Sequence, residues 1–111
     1  MISADAIRGH IDLIVLAILE PEPSYPYAIS QAIEDGSGGE YSMKQTTLYT
    51  AMKRLEQQGA LHSFNQVADS GKNRSYYELT DEGRDLLATK REEWAQVSRL
   101  IDRYVTGRTQ R

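Results

Sequence analysis

The stretch from Ser42 to Gly59 alternates between apolar and polar positions with the period of an α-helix. Counted at about 100° per residue, an apolar stripe runs along one side of that helix and polar side chains occupy the other. The stripe consists of Leu48, Ala51, Met52 and Leu55. Ser42 and Gln45 have the spacing of a capping box, and Gly59 suits the left-handed position that ends a helix. The pattern therefore predicts a helix over about residues 43–58.

The polar side of this central helix contains hydroxyls, amides and cations, with Glu56 as its single acid. Such groups donate to phosphates and base edges in a DNA major groove. An ordinary solvated face is the alternative when this segment is considered alone. The residues predicted to enter the groove are Lys44, Thr46, Thr47, Tyr49, Thr50 and Lys53.

Two further amphipathic segments precede the central helix. Ser3 is placed to cap a first helix that runs to about Leu19. The proline-containing stretch 20–23 ends it, because proline removes an amide donor and disfavours helical geometry in the residue before it. A second helix is predicted to start at Ser24, with Pro26 tolerated in its first turn, and a glycine-rich turn ends it. This is the order of a helix-turn-helix.

Two strand-like runs follow the central helix at residues 61–67 and 74–79, joined by a polar, glycine-containing loop. Their β-branched and aromatic residues predict a β-hairpin. Lys72 and Arg74 place positive charge at and beside its tip, where a hairpin next to a recognition helix contacts the sugar–phosphate backbone. Taken alone, such a tip is also compatible with a plain solvated loop. Three helices followed by a hairpin is the order of a winged helix.

Thr80 is predicted to cap a final helix that runs to about Val105. A helix of about 25 residues spans about 37 Å, which is longer than a small winged domain can cover. Its apolar residues recur at alternating spacings of three and four, the pattern of a helix that packs along its length against another helix. The residues predicted to form this dimer interface are Leu87, Trp94, Val97, Ile101 and Tyr104.

Together the elements predict a mainly α-helical fold with a small β-hairpin. Residues 1–80 would form a winged helix-turn-helix DNA-binding domain, and residues 81–111 a C-terminal dimerisation helix and tail. The chain of 111 residues carries a net charge of −3, which argues against a uniformly basic nucleic-acid binder. The charge is unevenly distributed, however, with −6 over residues 1–41 and +2 over residues 42–79. Binding to phosphates is therefore expected to be local.

The sequence offers few groups for catalysis or metal binding. It has no cysteine, and its two histidines lack acidic or nucleophilic partners at any recognisable spacing. There is no glycine-rich phosphate loop, metal-ligand cluster or serine elbow. We therefore expect no enzymatic activity and no cofactor. Without a signal peptide or an apolar run long enough to cross a bilayer, a cytoplasmic location away from membranes is expected.

Five short motifs occur in a fixed order along the chain: RGHIDL at residues 8–13, YPYAI at 25–29, TLY at 47–49, RLE at 54–56 and YYELTDEG at 76–83. Their order and spacing resemble the PadR family of bacterial transcriptional regulators over residues 7–104. The resemblance implies a winged helix-turn-helix with one C-terminal dimerisation helix, generally acting as a homodimeric repressor on palindromic promoter sites. Pro26 departs from the glycine usual in the family, and Thr50 from a common proline.

Some short members of the PadR family bind flat, apolar compounds at the dimer interface and use a tryptophan of the last helix from each subunit. The resemblance gives this role to Trp94. Val97 and Ile101 would line the same space, and Glu93 would attract a cationic ligand. Plain packing between helices is the alternative for Trp94.

Two other functions fit the same pattern. One is a protein-interaction module that keeps the winged fold without touching DNA, which the net acidity allows. The other is a ligand-sequestering protein whose main site is the interfacial pocket. Retardation of promoter DNA separates a DNA reader from an interaction module, and ligand binding without any effect on DNA binding identifies sequestration.

Overall fold

The computed structural model describes residues 1–106, and all structural statements concern this part of the chain. Its elements, in order, are α1 (Ala4–Ile7), a 3-10 turn (Arg8–His10), α2 (Ile11–Leu19), α3 (Pro26–Gly36), α4 (Gln45–Gln57), β1 (Leu61–Val67), β2 (Asn73–Leu79) and α5 (Asp81–Val105). The predicted mainly α-helical fold, with a hairpin and a long last helix, is confirmed.

The first helix is interrupted where the sequence predicted one continuous helix. Its start is confirmed, because the Ser3 hydroxyl accepts the backbone N–H of Ala6 at 3.1 Å. The 3-10 turn Arg8–His10 then separates α1 from α2. Gly9, at its centre, has a low helix propensity and favours such a break. The segment after the break, α2, packs against α3, α4, α5 and β2 and is the central helix of the core.

Helix α3 starts two residues later than predicted. Ser24 does not cap it but forms an isolated antiparallel bridge with Tyr77. The Ser24 N–H donates to the Tyr77 carbonyl at 3.0 Å, and the Tyr77 N–H donates back at 2.7 Å. Pro26 takes the first helical position, where its missing N–H costs nothing. The start of α3 is therefore fixed to the hairpin.

The predicted capping box at the start of α4 is wrong. The helix begins at Gln45 without a side-chain cap, and the Ser42 hydroxyl lies 3.4 Å from a carboxylate oxygen of Glu34. Tyr41 and Met43 are both buried in the core while Ser42 between them is exposed. Burial at alternate positions keeps this segment extended, so tertiary packing overrides the local capping signal.

The end of α4 is as predicted. Gly59 has a φ of 81°, in the left-handed region. Its N–H donates to the Glu56 carbonyl at 3.0 Å, and the Ala60 N–H donates to the Leu55 carbonyl at 2.9 Å. This pair of hydrogen bonds is the Schellman motif, which satisfies carbonyls that the helix end would leave unpaired.

Strands β1 and β2 form a two-stranded antiparallel hairpin in which Phe64 lies opposite Tyr76. The second strand begins at Asn73, one residue before the predicted start. The rings of His62, Phe64 and Tyr76 stack along one face, and Tyr25 meets Tyr76 edge-on at 5.3 Å between ring centroids. Aromatic contacts thus join the start of α3 to the hairpin a second time.

A hydrogen bond joins the start of α5 to the residue that ends α4. The Thr80 hydroxyl accepts the Gly83 N–H at 3.0 Å, which confirms the predicted cap, and donates to the Gly59 carbonyl at 2.5 Å. Gly83 and Leu87 are both buried. The first turns of α5 thus belong to the same core as residues 1–80. The domain division at residue 80 stays a prediction, and residues 107–111 of its second part lie outside the described residues.

Candidate nucleic-acid interface

Helix α4 has one buried and one exposed side, as its sequence predicts. Leu48, Ala51, Met52 and Leu55 are all within about 1% of complete burial. The predicted groove residues lie on the other side. Of these, Thr47 is half-buried, and the exposed ones are Lys44, Thr46, Tyr49, Thr50 and Lys53. The structure therefore brings hydroxyls and two cations together on one accessible surface.

Arg54, at the edge of this surface, forms an ion pair with Asp12. Its guanidinium donates to both carboxylate oxygens of Asp12 on α2. This hydrogen bond raises the pKa of Arg54 above its ordinary value. Sequence reasoning missed the pair because the two residues lie 42 positions apart. Among residues 1–106, no ion pair involves Lys44 or Lys53, so these two cations remain available to phosphates.

The two predicted wing cations lie in different surroundings. Lys72 is exposed at the hairpin tip. Arg74 is half-buried, and its guanidinium carbon lies 4.3 Å from the centre of the Tyr25 ring. This is a cation–π contact, which holds the side chain in place without neutralising its charge. Arg74 therefore lies between the wing and the start of α3 rather than at the tip.

Helix α5 exposes large apolar side chains along its C-terminal half. Trp94 is 52% exposed and Ile101 is 51% exposed. The further exposed apolar residues of this stripe are Val97, Leu100, Tyr104 and Val105. Leu87, which the sequence assigned to the dimer interface, is only 1% exposed and packs in the core of its own chain. That assignment is corrected: a three-four spacing marks an apolar side of a helix but does not tell an internal partner from an external one.

An ion pair connects the middle of α5 to the end of α2. Arg91 donates to both carboxylate oxygens of Glu20, at 2.6 and 3.1 Å. The hydrogen bond from Arg91 lowers the pKa of Glu20 below its ordinary value. Both side chains are well exposed to solvent, so the pair positions the helix more than it stabilises the fold.

A crevice of about 160 Å³ lies between α5 on one side and the 3-10 turn with the start of α2 on the other. It brings together three of the predicted ligand residues, Trp94, Val97 and Glu93, whereas Ile101 lies further along the helix and does not line it. The remaining lining residues, which sequence reasoning did not select, are Gly9, His10, Leu13 and Lys90. A flat ring resting on Trp94 would also meet the 3-10 turn.

The chain has counterparts among known proteins. Residues 15–89 match the Transcriptional regulator PadR-like family. The chain belongs to the PadR family. An uncharacterised protein from Lysinibacillus sphaericus is 36% identical to it over 108 residues, which cover 96% of this chain and 98% of that protein.

Solved structures of PadR-type regulators have the same fold. A transcriptional regulator from Clostridium thermocellum is 38% identical, with a TM-score of 0.86 over 95% of this chain and 99% of that one. A PadR family transcription regulator from Clostridium difficile is 33% identical, with a TM-score of 0.77 over 87% of this chain and 99% of that one. The winged-helix fold, inferred from element order alone, is confirmed.

Membership of the PadR family confirms that the chain is a transcriptional regulator and not an enzyme. In the part of the chain that the structure describes, no helix has the length and apolar character needed to cross a bilayer.

Proposed function

We propose that this PadR-family regulator is a homodimeric repressor that binds a palindromic promoter site through two copies of α4 and both wings. The single observation that carries the proposal is the pairing, in one chain, of an exposed polar face on α4 with an unpartnered apolar stripe on α5. The polar face of α4 suits DNA binding, and the apolar stripe of α5 suits packing against the same stripe of a second subunit.

The apolar stripe of α5 supports self-association. Six large apolar side chains between Trp94 and Val105 are exposed in the single chain. A stripe at alternating spacings of three and four packs well against an identical antiparallel or parallel helix. A two-fold interface uses the same patch on both subunits, so one stripe is enough. Dimerisation would remove these side chains from water.

A two-fold dimer presents α4 twice to one face of a duplex. For recognition helices to enter successive major grooves, their separation must be about 34 Å. The hydroxyls of Thr46 and Thr50 are donors or acceptors for base edges, while Lys44 and Lys53 pair with phosphates. A palindromic site follows because the symmetry of the DNA mirrors that of the protein.

Removing Lys53 and Lys72 together tests the DNA-binding surface. In the double variant K53A/K72A we expect weaker binding and a flatter salt dependence, because each lost phosphate contact lowers the slope of log K against log salt by about 0.9. Fluorescence anisotropy of a labelled duplex, selected by the protein from a random pool, measures both quantities. Arg99→Ala removes an exposed cation from α5 and serves as control. An unchanged slope in the double variant would contradict the assignment.

The crevice beside Trp94 supports relief of repression by a planar apolar molecule. The 3-10 turn borders this crevice through Gly9 and His10. From its other side, Arg8 borders a surface depression shared with Thr46 and Thr50 of α4. A ligand that displaces the turn would therefore act on the recognition helix directly. It would shift the population towards dimers that bind DNA less tightly.

Trp94 is the single tryptophan of the chain, so its fluorescence reports on the crevice. Titration with flavone, a planar neutral compound, is expected to quench this emission saturably and to weaken duplex binding over the same concentration range. Trp94→Phe keeps a flat ring and should retain the effect on DNA, whereas Trp94→Ala should lose it. Quenching that leaves duplex binding unchanged would instead support ligand sequestration.

A further inference from the structure

A cleft of about 420 Å³ opens between the start of α3, the exposed side of α4 and the strand β2. Its walls are aromatic and basic, and no acidic residue lines it. The principal lining residues are Tyr25, Tyr27, Tyr49, Arg74 and Tyr77. Tyr25 and Tyr27 both belong to the YPYAI motif, but the sequence analysis selected neither as a site residue. The cleft adjoins the exposed side of α4, with which it shares Tyr49, and lies away from Lys72 at the wing tip.

The cleft contains donors that have no acceptor in the chain. Within residues 1–106, Arg74 forms no ion pair, and the hydroxyls of Tyr25, Tyr27 and Tyr49 form no hydrogen bond to another protein group. Tyr27 is 66% exposed and Tyr49 is 47% exposed at the rim. A guanidinium that lines one cleft together with several phenol side chains is a donor set for an anionic oxygen group such as a phosphodiester.

The cleft is also rigid. Ser24 and Tyr77 exchange two backbone hydrogen bonds, which fix the start of α3 against β2. The Tyr25 ring forms a cation–π contact with the Arg74 guanidinium and a T-shaped contact with the Tyr76 ring. Arg74 and Tyr25 are therefore held in position before a ligand binds and lose little freedom on binding, whereas Tyr27 stays exposed at the rim.

We propose that this cleft is a clamp for one phosphodiester of the DNA backbone, with Arg74 and Tyr27 as its principal donors. The proposal rests on the DNA binding proposed above, because Tyr49 belongs both to the cleft and to the exposed side of α4. A duplex seated on α4 passes the open mouth of the cleft. Phosphate contacts of this kind set the register of a protein on DNA without reading sequence.

The clamp is tested on a duplex selected from a random pool, in which single phosphates are replaced in turn by neutral methylphosphonates. Wild-type protein should lose about tenfold in affinity at one backbone position in each half-site, as expected for a charge-assisted hydrogen bond. Arg74→Gln should lose a similar factor on unmodified DNA, should have a salt slope lower by about 0.9 per bound subunit, and should be insensitive to that methylphosphonate.

Tyr27→Phe separates hydrogen bonding from charge at an exposed position where folding is not at risk. It should weaken binding about threefold to tenfold and leave the salt slope unchanged, since a neutral donor releases no counterion. Tyr76→Phe removes a hydroxyl outside the cleft, and Arg99→Gln removes a distant charge. Both controls should bind like wild type.

The outcomes are distinct. If wild-type protein selects no duplex from the pool, the proposed DNA-binding function fails and the clamp with it. If wild type selects a duplex but Arg74→Gln and Tyr27→Phe bind it normally, the clamp alone is wrong. Continued sensitivity of Arg74→Gln to every methylphosphonate would also overturn the clamp. Inhibition of wild type, but not of Arg74→Gln, by millimolar inorganic phosphate without any position-specific methylphosphonate effect would show a site for a free anion instead.

Discussion

Replacing Ile101 with aspartate is expected to convert the proposed homodimer into a monomer. Ile101 is 51% exposed in the single chain and lies in the outer half of α5, so the change should leave the fold of one subunit intact. In a two-fold dimer it would bury two unpaired carboxylates in an apolar interface, each at a cost of several kcal/mol. We expect the dimer dissociation constant to rise by more than about 10³-fold.

The loss of dimerisation should also remove most of the DNA affinity. A monomer engages one half-site and forgoes the second, whose binding in the dimer benefits from a high effective concentration. Duplex affinity should therefore fall by at least about 10²-fold. Sedimentation velocity measures the assembly state, and fluorescence anisotropy measures the binding.

A matched control is available on the same helix. Ala88 is exposed and lies on the side of α5 away from the apolar stripe, about 120° around the helix from Trp94. Ala88→Asp adds the same charge as Ile101→Asp but should remain dimeric and bind DNA normally. An Ile101→Asp protein that still sediments as a dimer would show that the two subunits pair through another surface.

Substituting Gly83 with alanine is expected to destabilise the fold strongly. A Cβ on Gly83 would lie 2.1 Å from the carbonyl oxygen of Ala60. That oxygen is backbone and is already fixed, because it accepts the N–H of Thr80 at 3.1 Å. The overlap can be relieved only by moving α5 away from the end of α4, which disrupts packing around Leu87. We expect a loss of about 3 kcal/mol in the free energy of unfolding.

Urea unfolding followed by circular dichroism measures this loss. Gly36, the last residue of α3, provides the control, since a Cβ there would meet nothing within 4 Å and its φ is not in the left-handed region. Gly36→Ala should be neutral or stabilising by up to about 1 kcal/mol, the difference in helix propensity. Equal stability of Gly83→Ala and wild type would mean that the α4–α5 junction is looser than the structure shows.

Features whose cause is local were predictable from the sequence. The Gly59 helix end, the Thr80 cap and the buried stripe of α4 each depend on residues within one or two turns, and all three are confirmed. The start of α4 was not predictable in this way. Ser42 satisfies a local capping pattern, but burial of Met43 keeps the chain extended there. A contact between distant segments decides that boundary.

In the candidate site, too, local features were predictable from the sequence and contacts between distant segments were not. The exposed side of α4 was predictable from its period, but the Arg54–Asp12 ion pair was not, since 42 positions separate its partners. Leu87 was assigned to an interface because helical spacing does not identify the partner of an apolar side. The cleft around Arg74 was missed because it forms only when the start of α3 is bridged to β2.

The attachment of α5 at one end gives it the properties of a lever. The helix is anchored through Leu87 and the Arg91–Glu20 pair, and it continues to Val105 beyond them. This overhang of 14 residues is about 21 Å long, so a tilt of about 5° at its base moves its far end by about 1.8 Å. The crevice at Trp94 lies next to the anchored part of α5, so a small displacement of the helix there produces a larger movement of its free end. Occupancy by even one flat ring would thereby be amplified into a change in the distance between the two halves of the proposed dimer.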